Sequence, residues 1–280
     1  MFADDIKLFT RINSNLSSIE LQRDLNEIEA WCKKNCIEIN ITKCKYMKFS
    51  RLKKDRFRNM EYVIAGEKIV NVDRHKDLGV VMDSELTFAP HYDYIISKAN
   101  MRLGYVMRNA NGFADPRVHV VLYCALVRSI MEYGSTIWNP QYRFYIDRLE
   151  RIQIKFIKYM CYKWGVEYHS VLFGYFLQYL GLLKLTDRRK ILDAVFGCGV
   201  LSSHINCPEL LGTMGLHAPL KRCRTSVLLY IPICSTNYAT NAVMNRVKKV
   251  MNEYAGKIDF FSSDARIVKR KLSDLISSLY

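Results

Sequence analysis

Two adjacent aspartates near the start of the chain, Asp4 and Asp5, have the residue types and spacing that best fit catalysis. Short apolar stretches flank them, Phe2-Ala3 before and residues 6–9 after, a pattern that predicts a hairpin with both carboxylates at its tip. Carboxylates on a rigid turn can hold the metal ions of two-metal nucleotidyl transfer. Two like charges so close are costly unless a cation neutralises them. The pair alone leaves two interpretations open, a metal-binding pair or an ordinary acidic turn.

The chain is strongly basic. Its 42 lysines and arginines against 27 aspartates and glutamates give a formal net charge of +15, and its pI is near 9.4. A surface this positive attracts polyanions, and salt screens that attraction. Charge alone does not separate a nucleic acid from an acidic membrane surface or an acidic protein, so all three partners remain open at this point.

The apolar patterning predicts an intracellular protein, nuclear or cytoplasmic, with no membrane partner. The longest notable apolar run, residues 120–127, is far shorter than the roughly 18–20 residues that cross a bilayer. The acidic start lacks the apolar core of a signal peptide. The nine cysteines are therefore expected to be free thiols. Cys198, His204 and Cys207 lack the paired spacing of a zinc site, so buried structural cysteines are the preferred interpretation.

The clearest amphipathic helix is predicted over residues 144–164. Its apolar residues recur at helical spacing on one face: Leu149, Ile152, Phe156 and Met160. Four cations repeat at three- and four-residue intervals on another face: Arg148, Arg151, Lys155 and Lys158. A stripe of this kind suits a phosphate backbone, and it suits an ordinary solvated helix face equally well.

Strand and helix signals alternate early in the chain and become almost wholly helical from Pro90 onward. Ser17, with a glutamate three residues later, matches a capping box and predicts a helix from there to Asn35. Residues 78–82 predict a short strand, and Asp115, followed by a proline, predicts a helix start. These elements predict an α+β fold that is mostly helical.

The Asp-Asp motif near the start of the chain resembles a known catalytic turn. An aromatic-Ala-Asp-Asp turn followed by Ile-Lys-Leu-Phe is similar to that of reverse transcriptases from LINE-like (jockey-type) non-LTR retrotransposons. Later segments match the family's next palm motif, primer grip, post-thumb region and following helix in order: residues 31–49, 75–91, 123–140 and 153–156. The order and spacing of these motifs carry the resemblance over about residues 1–160.

The resemblance implies an organisation in three parts. Residues 1–88 are a partial polymerase palm sheet with a primer-grip hairpin, residues 89–165 a helical thumb and post-thumb region, and residues 166–280 a helical C-terminal region. Polymerases of this family carry a further metal-binding aspartate on an earlier palm strand, together with fingers. The chain begins at the catalytic turn, so the expectation is a C-terminal fragment of an RNA-directed DNA polymerase that is inactive alone.

The resemblance also implies roles for individual residues. In a complete palm, Asp4 would bind Mg²⁺ and Asp5 would assist it in catalysis, while Lys43 would contact the phosphates of the nucleotide. The primer terminus would be positioned by three consecutive residues: Leu78, Gly79 and Val80. The implied partners are an RNA template and a DNA primer, or an RNA–DNA duplex.

Two further interpretations stay open. In one, the chain is a non-enzymatic, basic nucleic-acid-binding module. In the other, it is a decayed element with no function. A binding module would use the four cations of the amphipathic helix together with an earlier basic cluster: Lys45, Lys48, Arg51, Lys53, Lys54, Arg56 and Arg58. Its binding would weaken steeply with salt, which separates it from a decayed element.

Overall fold

The computed structural model of the protein describes residues 5–51, 61–218, 227–261 and 264–278. The chain forms two compact units, which divide between His91 and Tyr92. Helices predominate among the described residues and the strands are short, so the predicted α+β, mostly helical fold class is confirmed. None of the helices in these ranges combines the length and apolar character that a membrane crossing requires.

The described part of the first unit contains a long helix and three pairs of short strands. Helix α1 spans Asn15–Lys34. The strands are β1 Lys45–Tyr46, β2 Val63–Ile64, β3 Glu67–Lys68, β4 Val70–Asn71, β5 Arg74–Asp77 and β6 Val80–Asp83. Strands β1 and β4 pair in parallel, whereas β2–β3 and β5–β6 pair antiparallel. These pairs are separate, and the described residues do not join them into one larger sheet.

A small core holds α1 against the β2–β3 pair. Tyr62, Ile64 and Ile69 are buried, and leucines of α1 pack against them. The hydroxyl groups of Ser18 and Tyr62 are 2.9 Å apart within this core. The hydrogen bond satisfies two polar groups that would otherwise be buried without a partner.

Helix α1 begins earlier than predicted. Ser14, not Ser17, is the N-cap: its hydroxyl oxygen accepts the N–H of Ser17 at 3.4 Å. The prediction was wrong because Ser14 has the same acceptor oxygen, and its extended backbone (φ −154°) is that of a cap. The predicted end is confirmed, since Asn35 is the C-cap and its N–H donates to the carbonyls of Trp31 and Cys32.

From Ala89 onward the described chain is almost entirely helical. The helices are α2 Ala89–Asn109, α3 Pro116–Tyr123, α4 Ser129–Glu132, α5 Ser135–Trp138, α6 Arg143–Lys163, α7 Phe173–Tyr179, α8 Leu185–Leu201, α9 Pro208–Gly212, α10 Asn237–Thr240, α11 Val243–Tyr254 and α12 Ala265–Ser277. A π-helical segment, Cys124–Arg128, joins α3 to α4. Asp115 caps α3 as predicted, with its carboxylate accepting the N–H of Arg117 at 2.8 Å. The predicted amphipathic helix is confirmed as α6.

Helix α8 is the centre of the core in the second unit. It packs against α11 and α12 and also meets α5 and α6. Its apolar side chains are buried together with those of α11 and α12: Ile191, Ala194, Cys198, Val200, Val247, Val250, Met251, Val268, Leu272 and Ile276. Because α8 is covered on most sides, its sequence lacks the one-sided apolar pattern of a surface helix.

Polar side chains of α8 form a buried network with neighbouring elements, in which Asp193 has an ion-pair partner and Arg189 has a neutral one. The guanidinium Nε of Arg246 donates to the buried carboxylate of Asp193 at 2.7 Å. Asn139 donates to the same carboxylate at 3.1 Å and accepts from Nε of the buried Arg189 at 3.2 Å. Arg246 also donates to the carbonyl of Thr136. The network therefore joins α8 to α5 and α11.

Two glutamates from neighbouring helices bind the N-terminal end of α8. The carboxylate of Glu150, on α6, accepts the N–H groups of Leu185 at 3.3 Å and Thr186 at 2.8 Å. Glu132, on α4, forms a two-pronged ion pair with Arg188. Negative charge at a helix N-terminus is stabilising because the free N–H groups there carry partial positive charge. These contacts hold α6 and α4 in place relative to α8.

A glycine lies where α8 and α11 approach each other. A Cβ atom at Gly197 would lie closer than 3.0 Å to side-chain atoms of Met251 and Val247. We expect Gly197→Ala to lower the free energy of unfolding by about 1–3 kcal/mol, because it overpacks the core and the branched Val247 has little freedom to move. Chemical denaturation measures the change. In the control variant Gly212→Ala, the added Cβ meets nothing within 4 Å. Equal losses in both variants would contradict the close approach of the helices.

Candidate nucleic-acid interface

The expected primer-grip residues lie at the tip of the β5–β6 hairpin. Asp77 pairs with Val80, which leaves Leu78 and Gly79 as a two-residue turn with φ values of 44° and 87°. Two positive φ values are typical of the type I′ turn, which matches the twist of the flanking strands. The predicted strand over residues 78–82 is therefore wrong at its first two residues, because the left-handed backbone ends the strand pairing there. Leu78 is exposed, whereas Val80 is buried.

Two polar side chains connect this hairpin to the start of α2. The carboxylate of Asp83 accepts three N–H groups of residues 85–88 at 2.8–3.1 Å, and the hydroxyl of Thr87 at 3.0 Å. The N–H of Val81 donates to Nδ1 of the buried His91 at 3.2 Å. Both contacts restrict how the hairpin and the helix start can move against each other.

The resemblance implies three functional residues in the palm, and the two that the structure describes are exposed. Asp4 lies outside the described residues, and Asp5 is exposed. Lys43 is also exposed, in a turn where its N–H donates to the carbonyl of Asn40 at 3.1 Å. In the described ranges, no three His, Cys, Asp or Glu side chains come together as a metal site would need.

The early basic cluster is only partly described. Lys45 is exposed and Lys48 half-buried. The guanidinium of Arg51 donates to the carbonyls of Glu85 at 2.7 Å and Leu86 at 3.2 Å, so this cation is used within the first unit. Four members of the cluster lie outside the described residues: Lys53, Lys54, Arg56 and Arg58.

Helix α6 runs parallel to α2. Four side-chain contacts link the two helices and the residues after α2: Arg148 to Asp93 at 2.7 Å, Lys155 to Asn100 at 2.9 Å, Tyr159 to the carbonyl of Met107 at 3.2 Å, and Lys163 to the carbonyl of Asn111 at 2.7 Å. Residue numbers rise together on both sides of these contacts, so the two chains run in the same direction. The stripe of cations on α6 thus lies beside α2.

The first cation of the stripe is neutralised within the protein. The guanidinium of Arg148 pairs with the carboxylate of Asp93, and its side chain is only 28% exposed. The same guanidinium lies 5.3 Å from the centre of the Phe144 ring. Arg148 therefore has a structural role between α2 and α6 and adds little net charge to the surface.

The other three cations keep their charge. Arg151 is exposed and forms no hydrogen bond or ion pair with any described residue. Lys155 is exposed and contacts only the neutral side chain of Asn100, and the exposed Lys158 lies 5.1 Å from the centre of the Tyr168 ring. Arg151 and Lys158 are seven residues apart, which is about 10 Å along a helix. We call Arg151, Lys155 and Lys158 the cationic face of α6.

Sequence reasoning missed Asp93, the residue that reduces the stripe from four charges to three. The sequence carried no local signal for this pair, because the two residues lie 55 positions apart. Asp93, Asn100 and Met107 recur every seven residues and so share one face of α2, but a seven-residue repeat indicates a neighbouring helix only when its positions are apolar.

Two curated relatives of the chain are proteins of mobile elements. The chain is 28% identical over 184 residues to the Retrovirus-related Pol polyprotein from type-1 retrotransposable element R1 of Bradysia coprophila, covering 62% of this chain and 18% of that protein. It is 26% identical over 155 residues to the Probable RNA-directed DNA polymerase from transposon BS of Drosophila melanogaster, covering 54% and 17%. The chain resembles the polymerase proteins of non-LTR retrotransposons. The resemblance predicted from the catalytic-turn motif is confirmed.

The similarity to non-LTR retrotransposon proteins covers only part of the length of each protein. The matched region spans less than a fifth of either retrotransposon relative. An uncharacterized protein of Caenorhabditis elegans is 27% identical over 96 residues, which cover 34% of this chain and 48% of that protein. No protein-family model matches the chain, and no solved structure matches it.

The buried histidine behind the hairpin predicts a pH dependence of stability. Burial, with a smaller effect of Lys76, lowers the pKa of His91 from 6.5 to about 4. Between these pH values the unfolded chain takes up a proton that the folded chain does not. The free energy of unfolding therefore falls as the pH drops from about 6.5 toward 4.

His91→Asn tests this dependence, because asparagine keeps an acceptor for Val81 and does not titrate. We expect the variant to lose part of the pH dependence between about pH 6.5 and 4. Urea denaturation at a series of pH values measures it. Curves of identical shape for the two proteins would contradict the role given to His91.

Proposed function

We propose that this chain is the nucleic-acid-holding portion of a non-LTR retrotransposon reverse transcriptase and that it does not polymerise DNA alone. Residues 1–88 are its partial palm with the primer-grip hairpin, residues 89–165 its thumb region and residues 166–280 its C-terminal region. The similarity to a Pol polyprotein and to a probable RNA-directed DNA polymerase supports this assignment. The order of elements, a β hairpin followed by a helical unit, agrees with it.

The observation that carries the proposal is the unneutralised charge of the cationic face. Arg151, Lys155 and Lys158 are exposed on one side of α6, and no carboxylate among the described residues pairs with them. Cations that no carboxylate neutralises attract phosphates and release the counterions condensed on a nucleic acid. The distance from Arg151 to Lys158 along the helix is about 10 Å, which equals roughly three base-pair steps of 3.4 Å. The face therefore suits successive phosphates of an RNA template paired with a DNA primer.

The hairpin tip is the proposed contact with the primer terminus. Leu78 and Gly79 form the exposed turn, and the buried Val80 anchors it. A two-residue turn is short and stiff, so its position depends on the strands that carry it. The contacts of Asp83 and His91 behind the hairpin help to hold those strands.

The described residues do not form a Mg²⁺ site by themselves. Asp5 is exposed, and no group of three ligating side chains occurs in the described ranges. Two-metal catalysis needs carboxylates arranged around both ions. We propose that Asp4 and Asp5 hold Mg²⁺, and that Lys43 contacts the nucleotide phosphates, only within a complete palm that supplies a further carboxylate.

Duplex binding at different salt concentrations tests the cationic face. We expect the triple variant Arg151→Ala, Lys155→Ala, Lys158→Ala to bind an RNA–DNA duplex more weakly. The slope of log affinity against log salt should fall by up to about three, because three phosphate contacts are lost. Asp93→Asn should strengthen binding and steepen the slope by up to about one, since it frees the charge of Arg148. Fluorescence anisotropy measures both.

A variant with the same loss of net charge serves as the control. Lys269, Arg270 and Lys271 are exposed on α12, and alanine at all three removes an equal charge away from α6. We expect a much smaller effect on duplex binding from this variant. Equal losses from the α6 and α12 variants would show attraction by net charge alone and would contradict an interface on α6.

Primer extension tests the claim about activity. With an RNA template, an annealed DNA primer and Mg²⁺, we expect the full chain to bind the duplex without extending the primer. Two-metal catalysis needs carboxylates around both ions, and Asp4 with Asp5 would lack the further aspartate that the family resemblance implies. Extension that Asp4→Asn abolishes would contradict the proposal. Absence of both binding and extension would favour a decayed element.

A further inference from the structure

Aromatic rings are exposed at the end of α6 and on α7. The side chains of Tyr162, Tyr175 and Tyr179 are 83%, 61% and 63% exposed. Aromatic side chains gain much of their stabilising effect from burial, so several exposed rings in one place indicate a binding surface. The positive charge next to these rings favours a polyanionic partner.

Tyr175 and Tyr179 belong to a connected group of rings that reaches the cationic face. The successive contacts between ring centres, beginning from the Lys158 ammonium, are Lys158–Tyr168 5.1 Å, Tyr168–Phe176 6.2 Å, Phe176–Tyr175 5.9 Å, Tyr175–Tyr179 6.4 Å and Tyr179–Trp164 5.5 Å. Phe176 is buried beneath the others. Tyr168 and Trp164 are half-buried, so we call the two exposed rings of the group, Tyr175 and Tyr179, the aromatic platform.

The two tyrosines of the platform present nearly parallel faces. The ring planes of Tyr175 and Tyr179 are inclined by only 21°, and the residues are one helical turn apart on α7. On α6, Tyr162 follows Lys158 by four residues, so the line of the cationic face continues directly into an exposed ring. Charge for a backbone and faces for bases thus lie side by side.

We propose that the aromatic platform stacks unpaired bases of a single-stranded nucleic acid whose phosphates follow the cationic face of α6. This inference rests on the proposed function and adds a single-strand site to it. Base–aromatic stacking tolerates any sequence because every base has a π face. Bases inside a duplex are already covered on both faces by their neighbours. The platform therefore distinguishes single strands, or a strand leaving a duplex, from the duplex itself.

Binding of a labelled single-stranded DNA oligonucleotide and of its duplex by the full chain tests this proposal. The double variant Tyr175→Ala, Tyr179→Ala should bind the single strand at least about fivefold more weakly, because it lacks the two rings on which bases would stack. Its affinity for the duplex should stay within about twofold of the unmodified protein, since the cationic face is unchanged. Tyr175→Phe with Tyr179→Phe keeps both rings and should retain single-strand binding. The control Tyr105→Ala, an exposed tyrosine on α2, should change neither affinity.

The remaining outcomes overturn the proposal in different ways. Unchanged single-strand binding in the alanine variant, with the loss in the α6 triple variant intact, would refute the platform and leave the proposed function standing. Equal losses for single strand and duplex would refute base stacking. If neither nucleic acid binds the unmodified protein, the proposed function and the platform fail together. A self-association seen in sedimentation and abolished by the same alanine substitutions, without a change in single-strand binding, would identify a second copy of the chain as the occupant.

Discussion

Helix α8 is covered by other helices on most of its surface, yet it carries Arg188, Arg189 and Asp193. Removing one partner of a buried ion pair costs about 3–5 kcal/mol, because a charge is left inside without compensation. Two of the helices around α8 supply a charged partner for it. Glu132 comes from α4, and Arg246 comes from α11. Apolar packing brings α8, α11 and α12 together, and the buried charge pairs add a requirement for specific partners on α4 and α11.

The position of α6 follows from the same constraint. Glu150 accepts the first N–H groups of α8, and Gln153 donates to the carbonyl of Leu183 at 2.9 Å just before it. These contacts, with the apolar residues of the inner face, leave one rotation of α6 in which Arg151 faces solvent. On the adjacent side, the pair of Arg148 and Asp93 joins α6 to α2. The proposed binding surface therefore has a fixed backbone, which limits the ordering of the main chain that binding would require.

Local features of the sequence were sufficient to predict much of the fold. The period of α6 and the caps at Asp115 and Asn35 depend on residues close together in the chain, and the structure agrees with them. Two local predictions were wrong, one at the start of α1 and one at the tip of the β5–β6 hairpin. Ser14 offers the same capping oxygen as Ser17, and Leu78 takes a left-handed turn conformation that its apolar character did not indicate.

Long-range contacts account for what the sequence did not predict. The neutralisation of Arg148 depends on a carboxylate 55 residues earlier, and the pair of Asp193 and Arg246 spans 53 residues. No local pattern encodes such separations. The connected group of rings around α7 was not predicted for the same reason, because the helices that cover a residue decide whether it is exposed. Asp4 lies outside the described residues, so its catalytic role stays a prediction.

The most direct test of the central claim, that α6 presents its cationic face to nucleic acid, is chemical footprinting of lysines in the full chain. An amine-reactive label modifies exposed lysines, and peptide mass spectrometry quantifies each site with and without saturating RNA–DNA duplex. The account predicts that Lys155 and Lys158 lose reactivity on binding, while the exposed Lys269 and Lys271 of α12 stay reactive. Unchanged labelling of Lys155 and Lys158 in the saturated complex would contradict it.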